Sequence, residues 1–151
     1  MAETAFDYLP DDNLDAPDLP WFIEARDKDP RDEFARQSAF VNFMRKHSAA
    51  IVYAVPNGGR LSEWQRIRRW REGVVAGALD LIVMWRPEKP GDRGLFVAEF
   101  KDGREMPTRE QRRMLNALAR YGVPCGVYRN ALILVRHVRA AGCRVNGEPL
   151  R

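Results

Sequence analysis

Histidine and cysteine are scarce in this chain, two of each: His47 and His137, Cys125 and Cys143. Two cysteines make no disulfide scaffold, so the expected compartment is the reducing cytoplasm. Two distant histidines and so few thiols exclude a Cys/His zinc site within one chain, and any metal must be held mainly by oxygen. No apolar run reaches the length of a membrane span, and the opening MAETAFDYLP is acidic where a signal peptide needs a basic start. No membrane partner is expected. Lysine is short as well: Lys28, Lys46, Lys89 and Lys101 are the four among 25 basic residues. The rest are arginine, whose planar fork grips phosphate in two places and points to a polyanionic partner. A soluble basic protein with an arginine preference gives the same composition.

What is present is enough for one ordinary domain: 151 residues, 45% hydrophobic and 30% charged. The net charge of +4 hides a division. Residues 1–35 hold eleven acids against three bases, a balance of −8, and residues 36–151 hold 10 against 22, a balance of +12. Residues 1–30 read as an acidic, proline-punctuated arm, expected to pack along its own or a partner subunit's surface through Phe6, Tyr8, Leu9, Trp21 and Phe22, residues 31–142 as the folded domain, and residues 143–151 as a tail.

Pro30 and Asp32 open a helix that ends near His47, with Phe34, Phe40, Val41 and Met44 at roughly helical spacing. AIVYAV (50–55) fits a strand, stopped by the turn signal Pro56-Asn57-Gly58-Gly59. Residues 62–72 predict a helix capped by Ser62 and ended by Gly73. Leu61, Trp64 and Ile67 are expected to face the core, leaving Arg66, Arg68 and Arg69 in solvent. Strands follow at 79–85 and 94–101, then a helix from Pro107-Thr108 to Tyr121, then a strand in PCGVYR. NALILVRHVRAAG fits either a helix or a strand. The order α-β-(α)-β-β-α-β predicts an α/β fold, one mixed sheet with helices on its faces.

Three ionisable residues stand in unusual places. Asp80 interrupts an apolar strand, and Glu99 and Lys101 share a face at the end of another. If those strands pair, two carboxylates and an ammonium meet at one end of the sheet. Two carboxylates suit Mg²⁺ or Mn²⁺, and a nearby lysine can orient or deprotonate an attacking water. A Glu-x-Lys triplet by itself is also an ordinary solvated strand end.

Longer stretches add a resemblance. Asn57-Gly58-Gly59-Arg60, then Glu72-Gly73-Val74-Val75-Ala76-Gly77-Ala78-Leu79-Asp80-Leu81-Ile82, then Glu99-Phe100-Lys101, then Pro107-Thr108-Arg109-Glu110-Gln111, resemble successive motifs of the VRR-NUC domain. That domain belongs to the PD-(D/E)XK nuclease superfamily, whose core is restriction-endonuclease-like. Asp32-Glu33-Phe34-Ala35-Arg36-Gln37 is similar to the family's opening helix, and the likeness runs over about residues 32–130. Leu79 departs from the proline that usually precedes the family's metal-binding Asp. The resemblance implies Asp80 and Glu99 as metal ligands, the Phe100 carbonyl as a third, and Glu33 reaching the metal directly or through water. It implies Lys101 as the catalytic lysine and Gln111 as a residue that positions Lys101 or a phosphate. Asn57, Gly58, Gly59 and Arg60 would line the cleft against nucleic acid, joined by the phosphate-facing Arg66, Arg68 and Arg69.

The expected activity is therefore Mg²⁺- or Mn²⁺-dependent hydrolysis of DNA. By similarity to small stand-alone phage and bacterial members, it extends to branched DNA such as four-way junctions. Symmetric cutting would call for a homodimer, with Leu132–Val138 and Trp21–Ile23 as the expected apolar contact. A non-cleaving nucleic-acid-binding module on a nuclease-like fold is the alternative, and a basic packaging protein a third. Metal-dependent cleavage separates the first from both.

Overall fold

The computed structural model describes residues 20–56, 62–74 and 77–150. Five strands and four helices occur among them: β1 (Phe22–Ile23), α1 (Glu33–His47), β2 (Ile51–Ala54), α2 (Glu63–Arg71), β3 (Leu81–Met84), β4 (Leu95–Phe100), α3 (Arg109–Arg120), β5 (Cys125–Tyr128) and α4 (Ala131–Ala140). They form an α/β fold around a single mixed sheet of order β1-β5-β4-β3-β2. β2, β3 and β4 pair antiparallel, while β4–β5 and β5–β1 are parallel. The expected order of elements is present, with β1 added at one end and α4 at the other.

Alternation along the central strand β4 assigns the two faces. Phe96, Ala98 and Phe100 join Phe40 and Met44 of α1 and Leu134, Val135 and Val138 of α4 in the larger core. Val97 points the other way, to Leu115 of α3, Val127 and the half-buried Trp21 and Ile23. Glu99 and Lys101 follow Val97 in register and fall on the α3 side.

Helix ends follow local chemistry. Asp32 caps α1 by accepting the Ala35 amide at 2.8 Å, and Arg45, Lys46 and His47 sit at its negative end. The core begins one turn later than the sequence pattern suggests: Phe34, in the first turn, is 79% exposed, and Arg36 and Phe40 are buried. The undecided segment 130–142 is helical, capped by Asn130. Its residues are apolar almost all round because α4 is packed against both α1 and the sheet.

Two expectations about apolar residues are overturned. Leu134, Val135 and Val138 are wholly buried in the chain's own core, and Trp21 and Ile23 pack beneath α3, which leaves only Phe22 of the second set exposed, so neither set forms a continuous apolar dimer face. Helix α2 faces no core either. It has no buried residue, Trp64 is 68% exposed, and Ile67 and Trp70 are also exposed. Both helical faces of the sheet are already occupied by α1, α4 and α3. Leu61, the remaining residue of that expected stripe, lies outside the described residues.

From Trp21 onward the acidic segment is docked. Trp21 donates its indole N–H to Asn116 at 2.9 Å. Glu24 accepts the Arg129 and Asn130 amides at 2.7 and 3.1 Å. Asp27 holds the buried Arg36 guanidinium through two 2.8 Å contacts.

Candidate functional site

The N-terminus of α1, the start of β3 and the end of β4 meet at one end of the sheet. Glu33 is the first residue of α1, Asp80 immediately precedes β3, and Glu99 is the penultimate residue of β4. Each offers a carboxylate oxygen, and the three oxygens lie within 4.8 Å of one another. Antiparallel pairing of Leu81 with Ala98 places Asp80 opposite Glu99. The Asp80 amide donates to Glu99 Oε2 at 3.1 Å, and the Phe100 amide donates to Asp80 Oδ2 at 3.3 Å.

Lys101 Nζ sits 3.0 Å from Glu99 Oε1. Both are buried, at 6% and 1% exposure. The same oxygen accepts the Gln111 side-chain amide at 2.6 Å. That amide is aimed by the cap of α3. Thr108 and Gln111 form a capping box in which Gln111 Oε1 accepts the Thr108 amide at 2.9 Å, leaving Nε2 for Glu99. Gln111 thus contacts the carboxylate directly and reaches Lys101 only through it.

Burial dominates the electrostatics. It raises the Glu33 carboxyl, helped by the Asp80 charge. It also raises Asp80, against the stabilising bonds from Glu99 and the Phe100 amide. Glu99 goes up through burial and then the Asp80 charge, which together outweigh Lys101. For Lys101 burial opposes the ammonium, but the carboxylates around it prevail and hold it protonated above its ordinary range. Three crowded carboxyls thus share one cation, and the donor set lacks positive charge. A hard divalent cation fits that deficit and the all-oxygen donor set.

Phe100 has its ring in the core and its amide on Asp80, so its carbonyl is what it can offer a metal. Arg66 and Arg68 are exposed on α2 and Arg69 is half-buried. Arg68 lies 5.9 Å from the Trp64 ring and pairs with Glu72 at 3.2 Å. The expected contacts Asn57, Gly58, Gly59 and Arg60 lie outside the described residues.

Two residues named in the sequence only as a helix start and as part of a motif turn out to contribute to the site. Thr108 carries a readable signal, the Thr-x-x-Gln spacing of a capping box. Gly77 adopts φ +80°, and a Cβ there would lie 2.5 Å from the Glu110 carbonyl. The segment leading to Asp80 therefore presses against the first turn of α3, a closeness that only glycine allows. No local pattern announces that contact.

No protein-family model matches this sequence, and no curated protein matches it. A solved structure described as a VRR_NUC domain protein is similar, with a TM-score of 0.57 and 19% identity over 76% of this chain and 93% of that chain. The chain has the fold of that VRR_NUC domain protein.

Proposed function

We propose that this protein is a metal-dependent nuclease that hydrolyses DNA phosphodiester bonds. The observation that carries the reading is the convergence of Glu33, Asp80 and Glu99 within 4.8 Å, with Lys101 against Glu99. The described name of the structural neighbour supports the same chemistry. Asp80, Glu99, the Phe100 carbonyl and Glu33 would hold Mg²⁺ or Mn²⁺. Such an ion, when bound, polarises a phosphoryl oxygen and offsets charge on the leaving oxygen. Lys101 keeps its proton at Nζ, where it orients the attacking water or an oxygen of the phosphate. Gln111 fixes Glu99 and so fixes both the ligand and the lysine.

Asn57, Gly58, Gly59 and Arg60, with Arg66, Arg68 and Arg69, would hold the sugar-phosphate backbone. The reading extends to branched DNA cut symmetrically by a homodimer, whose contact must use a face other than Leu132–Val138. The test is incubation with labelled linear, flap and four-way-junction DNA, with and without Mg²⁺ or Mn²⁺. Cleavage only with the ion is expected, and no cleavage of any substrate at any metal concentration would overturn the reading.

A further inference from the structure

Helix α2 is out of keeping with the rest of the molecule. Its nine residues, EWQRIRRWR, include two tryptophans and an isoleucine, yet none is buried. Trp64, Ile67 and Trp70 recur at i, i+3 and i+6 and form a continuous apolar stripe along one side. The two tryptophans are separated by about 9 Å along the helix axis, at 1.5 Å of rise per residue. By helical spacing Arg66 and Arg68 flank the stripe and Arg71 continues it at the C-terminal end, and the Arg68 guanidinium lies 5.9 Å from the Trp64 ring. The helix is well formed in itself. Ser62 accepts the Gln65 amide at 3.2 Å, and Gln65 returns the contact at 2.9 Å.

The position of this helix matters as much as its composition. The Val55 amide donates to the Asp80 carbonyl at 2.8 Å, so the chain leaves the sheet and returns to it at the metal-binding aspartate. Gly77 pins the return limb against α3 beside Gln111. The stretch that carries α2 is thus rooted at the site on both sides.

We infer that α2 is a platform for unpaired nucleotides, on which Trp64 and Trp70 stack bases while the flanking arginines hold phosphates, delivering a single-stranded segment of the substrate to the site. This rests on the nuclease reading in taking nucleic acid as the partner. Charge complementarity selects the occupant. Four arginines against Glu63 within the helix favour a polyanion, and a second copy of the helix would set arginine against arginine. An acidic protein segment meets the charge but lacks a repeating flat π-face, and duplex DNA hides its bases in the stack. Single-stranded nucleic acid offers both phosphates and free base faces, and exposed aromatics with cationic neighbours bind it without reading sequence.

The test is binding by the full chain in EDTA, so that cleavage plays no part. An oligo-thymidylate of about 15 nucleotides and a duplex of equal length serve as probes, with tryptophan emission and anisotropy as readouts. The oligonucleotide should quench the emission. The double variant Trp64→Ala/Trp70→Ala should bind it about tenfold or more weakly, while duplex affinity changes less than about threefold. Trp64→Phe/Trp70→Phe should restore most of the loss, because an aromatic face remains. Both tryptophans are exposed, so the variants should keep the wild-type circular dichroism and melting temperature. Unchanged oligonucleotide affinity in the alanine variant would overturn the inference. So would a variant whose sole change is a lower mass in sedimentation, which would mark a second copy as the occupant. Emission that responds to removal of residues 2–19 but not to the oligonucleotide would mark the acidic arm instead and also overturn it. Metal-dependent cleavage of duplex DNA is scored separately. Its absence would sink the nuclease reading and leave the stacking result standing.

Discussion

At Gln111 a single side-chain amide closes the cap of α3 through its oxygen and steadies Glu99 through its nitrogen. Gln111→Ala should therefore loosen the proposed metal site from outside it. Partners of metal ligands are commonly worth about 10–100-fold in metal affinity, and a loss of that size is expected for Mn²⁺ by calorimetry. Unchanged affinity would show that Glu99 does not depend on this contact. The carboxyl cluster makes a second prediction that needs no activity. Burial raises all three carboxyls in the metal-free protein, so an added divalent cation should stabilise the fold by binding the native state alone. At a hundred times its dissociation constant the gain is about 2.7 kcal/mol, readable as a rise in melting temperature. Asp80→Asn/Glu99→Gln should fold and lose that rise. A double variant that still responds like the wild type would place the metal elsewhere.

Elements were legible wherever local chemistry decides them. Ser62 with Gln65, Asp32 and Thr108 mark helix starts by side chains that satisfy free amides within three residues, and those starts are where the sequence puts them. The orientation of α2 was not legible, because helical spacing of Trp64 and Ile67 looks the same whether the stripe meets a core or a ligand. Strand β1 was missed because two residues carry no periodicity and its anchors lie about a hundred residues away, at Asn116 and Arg129. Helix α4 stayed ambiguous because a segment buried on most sides has neither a clear period of two nor one of 3.6.

That helix carries a pH prediction. His137 Nδ1 lies 2.7 Å from the Tyr128 hydroxyl, and burial pushes the imidazole below its ordinary range, against a weaker pull from Glu24. The unfolded chain then binds more protons than the native one as pH drops below about 6.5, so this stabilisation is present above that pH and is lost on acidification. His137→Gln should show a smaller drop in unfolding free energy between about pH 7.5 and about pH 5.5 than the wild type. Equal drops by urea denaturation would contradict the assignment.

On the scale of the whole molecule, an acidic segment is fastened along a basic body. The division of charge and a docked arm were both expected from the sequence, but the polar anchors at Glu24 and Asp27 were not, since they act through single buried groups. Arg36, 1% exposed, takes Asp27 in both prongs and also donates to the carbonyls of Arg31, Asp29 and Arg129. It sits one turn after Glu33, so the same fastening steadies the end of α1 that enters the site. Asp27→Ala leaves that guanidinium short of its counter-charge and should cost about 2 kcal/mol in urea unfolding. A loss below about 0.5 kcal/mol would mean the segment contributes little to the fold.

The site itself was legible because its parts are clustered motifs whose spacing survives in the sequence, Glu99 to Lys101 most of all. Glu33, which arrives on a different element, was expected there only through the resemblance, and the role of Gly77 was not legible because it acts only through the backbone it touches. The central claim is that Lys101, held protonated against Glu99, acts on the reacting phosphate while the carboxylates hold the ion. Single-turnover cleavage of labelled DNA at saturating Mn²⁺, wild type against Lys101→Ala, tests it most directly. The account predicts a rate about a hundredfold or more lower in the variant, with Mn²⁺ affinity retained. Equal rates would contradict it.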